Sequence, residues 1–174
     1  PEITGEGQKP IYLVEPTEAY DFIWNVGDGY FITRTYQNGY KFTILDNTWK
    51  VLASFAPGTV YDVGYLGENR FCVYEYEGKV RPDYVVDANG NQLFSVPYDS
   101  IGRYYEGLVE VREKTEDGYR YGYIDTEGNL RIPMEYSYAG NFSEGVVPVS
   151  ISESGMGQYG FIDTKGNVVI EPKY

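Results

Sequence analysis

The chain repeats itself. YGYIDTEGN (Tyr121 to Asn129) returns 38 residues later as YGFIDTKGN (Tyr159 to Asn167). One step of 38 residues back lies DYVVDANGN (Asp83 to Asn91), and 41 residues before that FTILDNTWK (Phe42 to Lys50). An Asp column runs through all four, at Asp46, Asp87, Asp125 and Asp163. Tyr98, Tyr136 and Tyr174 keep the 38-residue spacing, as do Leu66, Tyr104 and Phe142, and Asn69, Gly107 and Gly145. A fixed period of this length marks a repeat architecture: each unit is one supersecondary element that cannot bury its apolar face alone, so neighbours stack. Four units follow, 20–60, 61–97, 98–135 and 136–174. Residues 1–19 precede them as a polar N-terminal linker, in which IYLVEP (Ile11 to Pro16) echoes VVIEP (Val168 to Pro172) and is expected to be the remnant strand of an upstream unit.

Inside a unit the apolar runs are short. The fourth unit reads VVPVSI, QYGFID and NVVIEP; the third reads LVEVRE, RYGYID and NLRIPM. Runs of four to six residues rich in Val, Ile and Tyr, bounded by Gly, Asp or Asn, are strands joined by tight turns. The 20 Tyr and 21 Gly of the chain suit pleated surfaces and turns. No stretch keeps a helical apolar period free of Gly or Pro. The expected fold is all-β: a tandem array of about four antiparallel meander units of three to four strands each. A unit of this size is blade-like, and both a propeller-like closure and an open stacked array are compatible with it.

Composition narrows the function. With 26 acidic and 14 basic residues the net charge is −12, and there is no basic run to neutralise phosphates. Nucleic acid and anionic membrane surfaces are not expected partners. No apolar stretch is long enough to span a bilayer, so no membrane insertion is expected. The chain has no His, which removes the usual general base and the commonest zinc ligand, and Cys72 has no second Cys to pair with. No catalytic residue, metal site or cofactor is expected. The chain opens on Pro1 rather than Met, so a processed or trimmed form is expected, with removal of a signal peptide as one route to it.

The run YGFIDTKGNVVIEPKY resembles the WG repeat of many bacterial proteins, where an aromatic-Gly pair opens a strand ending in Asp. NFSEG (Asn141 to Gly145) and YEG (Tyr105 to Gly107) fit the closing segment of that pattern. The signature Trp is replaced by Tyr121 and Tyr159, by Phe42 in the first unit and by Asp83 in the second; the Gly partner is Gly122 and Gly160, but Thr43 and Tyr84 elsewhere. The resemblance implies an all-β repeat scaffold, often secreted or envelope-associated, and implies no particular chemistry.

Few residues point to a site. The D-x-x-G turns (Asp87–Gly90, Asp125–Gly128, Asp163–Gly166) are read as hairpin caps, with Asp accepting backbone N–H groups and Gly supplying a positive φ. The competing reading is a calcium ladder, which needs six to eight oxygens per ion. The aromatic columns (Tyr98, Tyr136, Tyr174; Tyr104, Phe142) are read as packing between units, with a sugar-binding strip as the alternative. Trp49 is the binding candidate. It stands where the other units place Gly, so the local turn is expected to differ, with Asn47 left-handed and the indole folded back towards Phe55 or held out for a partner. The loops YQNG, EYEGKVRP, EKTEDGYR and SESGMGQ vary most and are where a scaffold commonly carries binding. Cys72, in a column alternating with the apolar one, is expected outside the core. The function expected is a non-catalytic binding or scaffold module with a protein or glycan partner, extracellular or on the cell envelope. The alternatives are a structural spacer and, behind it, a carboxylate-based hydrolase.

Overall fold

The computed structural model describes residues 20–36, 38–76, 81–151 and 158–173. The linker and remnant strand at 1–19, Gly155, Tyr174 and parts of the loops YQNG, EYEGKVRP and SESGMGQ lie outside the described residues. Four antiparallel four-stranded sheets follow one another, each in simple meander order and none closed into a barrel. The first is β1 (Phe22–Gly27), β2 (Tyr30–Tyr36), β3 (Tyr40–Asp46) and β4 (Val51–Ser54). The second is β5 (Val60–Gly67), β6 (Arg70–Glu75), β7 (Tyr84–Asp87) and β8 (Gln92–Ser95). The third is β9 (Ser100–Tyr105), β10 (Leu108–Thr115), β11 (Gly118–Asp125) and β12 (Leu130–Tyr136). The fourth is β13 (Tyr138–Ala139), β14 (Val146–Ser150), β15 (Tyr159–Asp163) and β16 (Val168–Ile170). No described residue is helical. The all-β open array of blade-like units is the fold.

Two turns recur at the same end of each sheet. The first strand passes to the second through two residues that both have positive φ: Asp28-Gly29 (50° and 79°), Glu68-Asn69 (50° and 60°), Glu106-Gly107 (54° and 78°) and Glu144-Gly145 (53° and 80°). This conformation matches the twist of a hairpin, and Gly or Asn at the second place tolerates it. The third strand passes to the fourth through the Asp-led turn, and the second strand ends and the third begins at the opposite end, the loop end.

The sheets stack face on face. Ile32, Phe42 and Ile44 of the first sheet meet Val63, Phe71, Val73 and Val86 of the second. Leu66, Cys72 and Val85 of the second meet Tyr104, Val109, Val111 and Ile124 of the third. Leu108, Tyr123 and Ile132 of the third meet Phe142, Val147, Val149 and Ile162 of the fourth. Each such large side chain taken fully from water contributes roughly 1.5–3 kcal/mol. The inner sheets are therefore covered on both faces, which corrects the expectation for Cys72. Alternation does put Cys72 opposite Phe71, but the third sheet covers its side too, so the thiol is buried, and burial pushes its pKa up to about 11. The aromatic columns are packing: Tyr104, Phe142 and Tyr136 are buried, and Tyr98 lies half-buried against the second core.

Hydrogen bonds between equivalent turns fasten the stack. Tyr30 OH donates to Asn69 Oδ1 at 2.9 Å, and Tyr65 OH to Asp28 Oδ2 at 2.5 Å. Glu68 Oε1 accepts the Gly107 N–H at 2.9 Å, and Glu106 Oε2 accepts the Gly145 N–H at 2.9 Å. These bonds hold the turn ends of the sheets together, so the loop ends share the other side.

Candidate binding site

Trp49 takes the left-handed conformation itself, at φ 67°, and Asn47 does not; that expectation is corrected. The fourth position of this turn takes positive φ because the chain must rejoin the ladder just after the turn closes: the Trp49 N–H bonds the Asp46 carbonyl at 3.0 Å and the Lys50 carbonyl accepts the Asp46 N–H at 3.1 Å, as happens around Gly90, Gly128 and Gly166 with Asp87, Asp125 and Asp163. The indole folds back, but onto Phe31 of β2 rather than Phe55. The ring centroids are 4.5 Å apart and tilted by 33°. Half-buried and at the turn end, Trp49 presents no open platform.

The Asp carboxylates cap their own turns. Asp163 Oδ1 accepts the N–H groups of Lys165 and Asn167, both at 2.8 Å, and Oδ2 accepts the Asn167 amide at 2.9 Å. Asp87 repeats this with Asn89 and Asn91, and Asp125 with Glu127 and Asn129, adding Arg131 Nε at 2.7 Å. Asp46 accepts the Thr48 hydroxyl and the Thr48 and Lys50 N–H groups. All four carboxyls are held below the usual Asp value of 3.8. The Thr48 hydroxyl is the main cause at Asp46 and the Asn167 amide at Asp163. At Asp87 and Asp125 burial works the other way and the bonds from Asn91 and Asn129, with their neighbours, outweigh it. Among the described residues no three His, Cys, Asp or Glu side chains are grouped to hold a metal ion.

Exposed aromatics gather at the loop end. Strand starts and ends place Phe22 and Tyr36 there in the first unit, with Trp24 one pleat further in on the same face as Phe22, Tyr61 and Tyr76 in the second, Tyr119 in the third, and Tyr138 and Tyr159 in the fourth. Tyr36 is 67% exposed and even the least open, Trp24, is 40% exposed, so the row is a surface feature and not core edge. Pairs within a unit support each other: Tyr61 and Tyr76 meet edge to face at 5.9 Å, Tyr138 and Tyr159 at 5.5 Å, and Phe22 stacks on Trp24 at 5.6 Å. Arg34 lies 4.4 Å from the centres of both Phe22 and Tyr40, and Arg112, its equivalent two units on, 4.5 Å from Tyr119. Guanidinium on ring faces fixes the rings while leaving their outer sides free. The Tyr columns expected to pack between units do so and contribute nothing to this row. The signal was adjacency: these aromatics flank the variable loops, as in YQNGY, YEYEG and DGYRY.

A shallow cleft of about 480 Å³ separates the third and fourth turn ends, lined by Glu106, Leu108, Asp125, Arg131, Thr164 and Lys165. It opens because Leu108 stands where the second unit has Arg70, which spans to the Thr126 carbonyl at 3.1 Å. Both of its carboxylates are engaged, Glu106 by Gly145 N–H and Asp125 by its own turn.

Among solved structures, a protein of unknown function from Bacteroides caccae is similar, at 14% identity and a TM-score of 0.37, over 82% of this chain and 62% of that one. This chain thus spans about 62% of that protein's length. No curated protein matches it. The family model of the WG containing repeat matches residues 121–153 and 159–174, the stretches opened by Tyr121-Gly122 and Tyr159-Gly160, so these two stretches are similar to that repeat.

Proposed function

We propose that this chain is a non-catalytic binding module whose partner is a neutral polysaccharide laid along the loop-end aromatic row. The observation that carries the reading is the recurrence of solvent-facing rings in every unit on one side of the stack. Sheets stack about 10 Å apart, so the row offers ring surface at regular intervals to an extended chain. Sugar rings present apolar C–H faces that lie against aromatic rings, while their hydroxyls reach the polar loops alongside. Tyr suits this contact, having an apolar body, a polar tip and little conformational entropy to lose. The net charge of −12 favours a neutral glycan over a polyanionic one. The non-catalytic reading rests on the absence of His from the chain and on carboxylates already committed to their turns. In this reading the module works outside the cell or on its envelope, where glycans are displayed.

Titration calorimetry against a panel of soluble neutral polysaccharides tests this. Tyr61→Ala and Tyr159→Ala should each weaken binding about tenfold, within the range of hot-spot truncations, with the melting temperature unchanged. Binding that survives both changes would sink the reading. A peptide that competes for the same row would move the assignment to a protein partner.

A further inference from the structure

We propose that the outer face of the fourth sheet is the seat of a further unit of the same repeat, joined in tandem as the four units are joined to each other. Three columns support it, each repeating an interface contact and each ending on an open position. In the third strands, Ile44, Val85 and Tyr123 are buried under the next sheet, whereas Phe161 in the same column is only half-buried. In the fourth strands, the turn Gly of the next unit presses on the column residue. A Cβ built on Gly90 would lie 3.1 Å from Ala53, on Gly128 2.6 Å from Phe94, and on Gly166 3.5 Å from Ile132. Next in this column is Ile170, which is 47% exposed where Ile132 is fully buried.

The third column is polar and specifies the partner's chemistry. Glu68 takes the Gly107 N–H and Glu106 takes the Gly145 N–H. The Glu144 carboxylate, at the same turn position and at a similar φ of 53°, accepts no such hydrogen bond among the described residues. What fits the seat is thus a sheet with a glycine-tipped turn donating an N–H beside Glu144 and a D-x-x-G turn whose Gly settles on Ile170. A second copy of this chain stacking head to tail does not meet this, because the matching face of its first sheet is closed: Thr33, Thr43 and Leu45 are buried.

The test compares the 174-residue chain with one extended by a second copy of residues 137–174 after Tyr174. Amide exchange in β15 and β16 should slow by at least about tenfold in the extended chain, as an open face becomes an interface. Glu144→Ala should lower the melting temperature only in the extended chain. Unchanged exchange in a folded extended chain, or an equal effect of Glu144→Ala in both, overturns the proposal. A control needs no extension: Ile170→Glu should be tolerated in the 174-residue chain and Ile132→Glu should not. Equal destabilisation by the two overturns it, as does a concentration-dependent dimer of the 174-residue chain that Ile170→Glu abolishes.

Discussion

The carboxylate of Glu68 holds the backbone N–H of Gly107 at 2.9 Å, across 39 residues of sequence and from one sheet to the next. Glu106 does the same for Gly145. Both Glu residues sit at φ near 50°, where a side chain is strained unless something else favours it. Short-range propensity alone would prefer Asn or Asp there. A longer acidic side chain reaches the neighbouring turn, so the residue serves the stack as well as its own hairpin.

That pairing gives a controlled comparison. Glu106→Ala and Glu144→Ala remove the same atoms from the same turn position, at φ 54° and 53°, so the backbone contribution cancels. Only Glu106 loses an inter-unit bond. Urea unfolding should find Glu106→Ala less stable by about 1 kcal/mol, the size of an exposed charge-assisted hydrogen bond. Equal midpoints would show that the ladder contributes nothing.

The Gly of the repeat signature is required by close approach. A Cβ on Gly122 would sit 2.6 Å from the Ile132 carbonyl oxygen and 2.8 Å from Met134 Sδ; on Gly160 it would meet Ile170 O and lie 2.7 Å from Pro172 N. The fourth strand crosses so closely, beside a register shift, that no side chain fits. Gly102, also in a strand, would place its Cβ no nearer than 3.6 Å to anything. Gly122→Ala should cost about 3 kcal/mol by overpacking, and Gly102→Ala should be neutral or stabilising by up to about 1 kcal/mol. Thermal melts of the two variants check the difference.

Much of this fold was legible because the period carries it. The Asp column at 46, 87, 125 and 163 located one turn in each unit, and its hydrogen bonding follows from what a carboxylate does at the head of a tight turn. Cys72 was misplaced because alternation separates the faces of a sheet without saying whether both are covered; in a stack, both are. The candidate site was harder. Tyr136 and Tyr159 look alike in sequence, yet one is buried at an interface and the other stands 43% exposed at a strand start. Periodicity finds residues that recur in every unit, and the exposed row recurs only in part: Phe22 and Tyr138 share one column and Tyr36 and Tyr76 another, but Asp62 and Ser100 interrupt the first and Lys114 the second. Tyr61 and Tyr119 join them only through the end of the sheet at which they lie.

Acid should weaken the turns in a predictable direction. Asp46, Asp87, Asp125 and Asp163 titrate below the usual 3.8 in the folded chain. A depressed folded-state pKa gives stability that is complete above the unfolded value and is lost as pH falls through the folded one. The loss therefore falls below about pH 4 for an ordinary unfolded Asp. Glu110 acts in the opposite sense, since burial raises its carboxyl pKa and acid relieves it. Comparing urea midpoints of the parent and Asp163→Asn at pH 7 and pH 3 isolates one turn. The variant should lose less on acidification than the parent, and an equal loss would remove Asp163 from the acid response.

Trp49 is the sharpest test of how a turn accommodates a residue it does not suit. Its φ of 67° is what the three equivalent glycines supply without strain, and its ring recovers the cost by lying 4.5 Å from Phe31. Two substitutions separate strain from packing. Trp49→Ala keeps the strained backbone and removes the ring, and should cost about 1–3 kcal/mol, as for a partly buried aromatic. Trp49→Gly removes the ring and the strain together, so it should cost about 1 kcal/mol less than the Ala change. In the Phe31→Ala background, where the stacking partner is already gone, Trp49→Ala should be nearly neutral and Trp49→Gly should stabilise by about 1 kcal/mol through strain relief alone. Denaturant titrations of the five variants decide it. If Trp49→Ala cost less than about 0.5 kcal/mol, the indole would be a surface group held for contact, and the turn end would become a second candidate for binding.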